Sequence, residues 1–85
     1  MTLEILTPDK TVYQGEVNSV TVPGTLGSFE VLKDHAPIIS TLEDGKVIIR
    51  TGAKAEEIIF ITGGVIEVLN NKVIVLAEGV MNKQV

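Results

Sequence analysis

The chain has no cysteine and no tryptophan, a single histidine at His35, and three aromatic residues, Tyr13, Phe29 and Phe60. Without cysteine there is neither a disulfide framework nor a thiolate metal site. Three aromatics are too few for a base-stacking platform. Seven Lys and Arg stand against eleven Asp and Glu, and the formal net charge of −4 is scattered rather than blocked. That distribution excludes the basic patch that nucleic acid or an anionic membrane surface needs. No apolar run approaches the roughly 20 residues of a membrane helix. The N-terminus has no basic, then apolar, leader pattern and reads directly as a strand.

Turn chemistry concentrates in residues 22–37, where Pro23-Gly24, Gly27, Lys33-Asp34 and Pro37 punctuate a short apolar run of Phe29, Val31 and Leu32. Proline presets φ and glycine supplies φ > 0, so this stretch predicts strand, loop, strand and turn. Elsewhere short strands are predicted over residues 2–7, 11–14, 16–22, 38–42, 46–51, 56–62, 65–69 and 72–77. Gly15 is read as an interruption, and a bulge near Asn18-Ser19 as the device that brings Val17 into phase with Val20 and Val22. Asp44-Gly45 predicts a hairpin between 38–42 and 46–51. Gly63-Gly64 predicts a corner, and Asn70-Asn71 a type I′ turn. No window carries a helical stripe. The expectation is therefore a single all-β domain over residues 1–85: a small antiparallel β-sandwich or flattened barrel of about eight to ten short strands, with 79–85 a flexible tail.

The later strands are apolar on both faces. Ile58 and Phe60 oppose Ile59 and Ile61, and Val73 and Val75 oppose Ile74 and Leu76. A half-exposed antiparallel strand alternates apolar with polar. Either barrel-like curvature covers both faces, or a partner covers one of them.

Reactive constellations are missing from the pattern. His35 has no identifiable nucleophile or orienting carboxylate, since Asp34 beside it faces the other way on extended backbone. A ring nitrogen satisfying a backbone group in the loop, or an interface role, fits better. Gly24-Thr25-Leu26-Gly27 matches a loose GxxG, but between strands of an acidic domain it reads as a turn. Glu56 and Glu57 are adjacent on a strand and face opposite sides. No phosphate-binding glycine motif is present. The residues thus predict no catalytic group, no metal, no cofactor and no small-molecule substrate.

Five segments in order carry a resemblance: Glu-Ile-Leu-Thr-Pro (4–8), Val-Pro-Gly-Thr-Leu-Gly (22–27), Val-Leu-Lys-Asp-His-Ala-Pro (31–37), Gly-Gly-Val-Ile-Glu-Val (63–68) and Asn-Lys-Val-Ile-Val-Leu-Ala (71–77). Together they resemble the epsilon subunit of F-type ATP synthases, collinearly from residue 2 to about residue 78. The resemblance implies a β-sandwich at the foot of the rotor stalk, non-catalytic, wedged between the gamma subunit and the c-ring. It implies a peripheral place on the cytoplasmic side of a bacterial membrane, held there by other subunits. On the c-ring side the matching positions are Gly27, Ser28, Phe29 and Glu30; on the gamma side they are Thr7, His35 and Ser40. The family often has an acid at the position of Ser28, pairing with a basic c-loop residue, and Glu30 is the substitute candidate here. Many members continue into a C-terminal helical hairpin that brakes hydrolysis and in some binds ATP; neither that extension nor an ATP site is expected within these residues. The alternative is a lipoyl or biotinyl carrier domain, which needs a modifiable lysine at a hairpin tip, with Lys33 and Lys72 near turns. A cupin-like enzyme or a plain oligomerisation module are further alternatives, the first weakened by one histidine and no cysteine.

Overall fold

The computed structural model describes residues 1–52 and 54–81. Eight strands follow one another: β1 (Thr2–Leu6), β2 (Thr11–Glu16), β3 (Ser19–Gly24), β4 (Gly27–Leu32), β5 (Ile38–Leu42), β6 (Gly45–Arg50), β7 (Glu56–Leu69) and β8 (Lys72–Met81). There is no helix among the described residues. All eight strands belong to one hydrogen-bonded sheet that folds back on itself.

The fold-back is built at Gly63-Gly64. Ile61 and Ile66 are both fully buried, yet they stand an odd number of residues apart, which ordinary pleating would place on opposite faces. Gly63 at φ 59° and Gly64 at φ 136° absorb the change of phase. A Cβ on Gly64 would collide with the Leu76 carbonyl oxygen and lie 2.9 Å from Ala77 Cα. Upstream of this corner β7 pairs with β6, downstream with β5, and from Phe60 to Leu69 with β8. Two layers result. Layer I holds β2, β1, the first part of β8, the end of β7, and β5; layer II holds the end of β8, the start of β7, then β6, β3 and β4. A Gly24–Leu42 pairing joins β3 to β5 and closes the barrel-like side.

Between the layers lies an aliphatic core. Leu3, Ile5, Val20, Val22, Val31, Val47, Ile49, Ile61, Ile66, Val73 and Val75 are each at most 1% exposed. Val, Leu and Ile at alternate positions give two close-packed, predominantly aliphatic inner faces, with Ser19 the buried polar side chain among the described residues.

The all-β sandwich holds, with corrections in the connections. The sheet is not wholly antiparallel, because β1 runs parallel to β8. Residues 56–62 and 65–69 are one bent strand. Strands β5 and β6 do not form a hairpin: they run end to end beside β7, and Asp44-Gly45 bends them where β7 bends. The reason is tertiary, since the Glu43 N–H donates to the Pro23 carbonyl at 2.9 Å and Gly45 packs against the Pro23 ring. Gly15 continues β2, opposite Leu3. No bulge brings Val17 into phase; the chain crosses from layer I to layer II there, with Val17 N–H donating to Met1 and Asn18 N–H to Arg50 carbonyls. Gly79–81 extend β8, pairing with Thr62, Ile61 and Phe60 instead of fraying, while 82–85 lie outside the described residues. Asn70 and Asn71 take φ 50° and 62°, the type I′ geometry expected of them.

Candidate protein-interaction site

The outer face of layer I leaves several large apolar side chains open. Its central row, read across the register, is Gln14, Glu4, Ile74, Glu67 and Ile39, and the next row is Leu6, Leu76, Val65 and Thr41. Ile39 is 72% exposed, and Leu76 and Leu69 are each 52% exposed. Their inward neighbours Val73 and Val75 fill the core. Both faces of β8 are therefore apolar while only one is covered by this chain. Such a contiguous patch marks an interaction surface more often than isolated exposed side chains do.

Thr7, His35 and Ser40 are not adjacent; they border layer I at different places. Thr7 opens the β1–β2 turn, its N–H donating to the Lys10 carbonyl at 2.9 Å. With Val12, Ile59, Phe60, Val80 and Met81 it lines an open groove of about 800 Å³. His35 sits at the other end, in the turn after β4. There its N–H donates to the Leu32 carbonyl at 3.1 Å and its Nδ1 lies 2.7 Å from the Ala36 carbonyl oxygen. Ser40 alternates with exposed Ile39 and Thr41 and pairs with buried Ile66, so it faces inward from the β5 edge.

The stretch Gly27, Ser28, Phe29 and Glu30 begins β4, and its members separate by pleat. Phe29 pairs with buried Val22, and its ring covers Gly24 so closely that a Cβ there would sit 2.8 Å away. Glu30 accepts from Arg50 Nη1 at 3.3 Å, and Arg50 Nη2 holds Glu56 at 3.1 Å. Gly27 and Ser28 stay exposed. Leu26, absent from the sequence-based set, is the most exposed large apolar side chain among the described residues, at 103%. The only hint was its place between Gly24 and Gly27. The hairpin carrying it is fixed: Thr25 N–H donates to the Thr41 carbonyl at 3.1 Å, and the two threonine hydroxyls lie 2.8 Å apart.

Among the described residues, no three of His, Asp and Glu gather in a way that could hold a metal ion. Nor do the described residues form a helix long and apolar enough to cross a membrane.

Residues 1–83 match the family model described as ATP synthase, Delta/Epsilon chain, beta-sandwich domain. The chain is 47% identical over 79 residues to the ATP synthase epsilon chain of Chlorobaculum tepidum, covering 93% of this chain and 90% of that one. It is 48% identical over 88 residues to the epsilon chain of Salinibacter ruber, covering 94% of this chain but 59% of the relative. Among solved structures, a chain of the Euglena gracilis mitochondrial ATP synthase assembly OSCP/F1/c-ring superposes with a TM-score of 0.85 at 20% identity, covering 93% of this chain and 51% of that chain. One from the Tetrahymena thermophila mitochondrial ATP synthase central stalk/c-ring gives 0.80 at 16% identity, covering 94% and 64%. At those identities the superpositions speak to the fold, while the family match and the curated relatives decide kinship. This chain belongs to the ATP synthase delta/epsilon family and comprises its β-sandwich domain.

Proposed function

We propose that this chain is a non-catalytic rotor-stalk subunit of a proton- or sodium-translocating F-type ATP synthase. It couples the gamma subunit to the c-ring from the cytoplasmic side of a bacterial membrane, as a peripheral component held by its neighbours. The observation that carries this reading is the uncovered apolar face of layer I, with Leu76 exposed on β8 and Ile39 on the β5 edge, on a body whose relatives are epsilon chains. Gamma docks on that face, which Thr7 and His35 bound at its two ends and Ser40 at the β5 edge. The c-ring loops meet the β3–β4 hairpin at Gly27 and Ser28, together with Leu26. Phe29 supports that hairpin from inside, and Glu30 is engaged by Arg50, so the contact does not depend on a free carboxylate there.

The mechanism is mechanical: two surfaces on one stiff sandwich are packed at once, and rotation passes through the sheet between them. The lipoyl or biotinyl carrier alternative is not favoured, because the relatives are synthase subunits. Pull-down with purified gamma and c-ring tests the reading. Recovery of both is expected, and recovery of neither sinks it.

A further inference from the structure

Glu4 and Glu67 occupy one row of the exposed face, on either side of Ile74. One strand lies between them, so their Cα atoms are about 10 Å apart. Neither takes part in an ion pair among the described residues, and Lys72, two residues along β8 from Ile74, pairs with neither. Ile39, Leu69, Leu76 and Val65 make the face around them largely apolar, with Gln14, Thr41 and Lys72 at its margins. An all-apolar partner would strip water from two carboxylates without compensation, which is unfavourable. A second copy of this chain would be worse, bringing four carboxylates together between molecules that each carry a net charge of −4.

We infer that the occupant of this face is an apolar surface bearing one cation, an arginine, seated over Ile74 between Glu4 and Glu67. Resting on the reading above, that surface belongs to the gamma subunit. A guanidinium has donors on several edges and so can serve two carboxylates flanking it, where an ammonium acts as a point charge. Glu4 and Glu67 then set orientation as well as attraction, because a single cation between two fixed anions defines one register.

The test is the affinity of purified gamma for the full chain as wild type and as Glu4→Gln, Glu67→Gln, the double variant and Ile39→Ala, in low and high salt. Each single Gln variant is expected to weaken binding by about ten- to a hundredfold. The double variant should lose the salt dependence that wild type shows, and all variants should melt like wild type. Gln variants that bind as tightly as wild type, while Ile39→Ala weakens binding, overturn this inference and leave the gamma reading intact. Wild type that fails to bind gamma overturns both. Self-association lost in Ile39→Ala, with gamma binding unchanged, assigns the face to a second copy and overturns the inference as well.

Discussion

Asp34 and Asn71 hold each other reciprocally: the Asp34 N–H donates to Asn71 Oδ1 at 2.6 Å, and Asn71 Nδ2 donates to Asp34 Oδ1 at 2.9 Å. The pair ties the His35 turn to the β7–β8 turn across 37 residues of sequence. Both residues have positive φ, 64° and 62°, so each stabilises its own turn as well as the link. Asn71→Gly keeps the backbone geometry and removes both hydrogen bonds. It should cost about 1–2 kcal/mol in urea unfolding. An unchanged midpoint would show that the link does not hold the turn.

The corner glycines should respond differently to alanine or asparagine. Gly64→Ala forces a Cβ into the Leu76 carbonyl and the Ala77 backbone, so a loss above about 3 kcal/mol, or failure to fold, is expected. At Gly63→Asn the new Cβ has the Glu78 carboxylate as its nearest neighbour, at 3.1–3.3 Å, in a left-handed conformation that asparagine accepts. Its cost should stay near 1 kcal/mol. Thermal melts followed by circular dichroism separate the two, and equal losses would contradict the phase-change account.

Arg50 reaches from β6 to Glu30 on β4 and Glu56 on β7 across the outside of layer II, with all three side chains 40–45% exposed. Solvent screening keeps such a network weak. Arg50→Ala should therefore cost about 1 kcal/mol or less, and the difference from wild type should shrink in high salt. A large, salt-independent loss would mean that the arginine stem, not its charge, stabilises the sheet.

At the hairpin tip, Leu26→Ser and Glu30→Gln should diverge in c-ring binding. Leu26 is uncovered, and its loss should weaken ring recovery without moving the melting temperature. Glu30→Gln, already engaged by Arg50, should leave ring recovery near wild type. The reverse order would return the contact to an ionic one.

Inside and outside positions of the paired strands β7 and β8 offer a further contrast. Ile66→Ala empties a fully buried site and should cost about 2–5 kcal/mol. Leu76→Gln on the exposed face should change stability by about 0.5 kcal/mol or less while weakening gamma binding. Chemical denaturation and the same binding measurement decide both.

Local chemistry was legible at most residues that fix their own dihedrals, but not at Asp34, whose φ of 64° takes it off the extended backbone expected there. Asn70-Asn71, Gly24 to Gly27 and Gly63-Gly64 all turn or bend the chain as their composition dictates. Pairing over distance was not. Asp44-Gly45 has hairpin chemistry, but its neighbours are claimed by the two halves of β7 and by Pro23, so the turn signal yields to tertiary contacts. The parallel β1–β8 pair likewise leaves no local mark, because a strand's residues do not record the direction of its neighbour. For the candidate surfaces, the doubled apolar faces of β7 and β8 did announce an uncovered side. Which member of each alternating pair stayed outside depended on the odd step at the corner. Leu26 was hidden because an exposed leucine in a turn has no periodic pattern to betray it.

Strands β7 and β8 each cross from one layer to the other without a break in the chain. The two layers cannot slide or swing apart like the boards of a hinged book, since both share the same spines. A sideways push delivered at the Leu26 hairpin passes through the threonine pair into β5, and from there into covalent backbone that rounds the corner. Twisting strain in this small body is then shared along two strands that both layers have in common, and not left to side-chain packing alone.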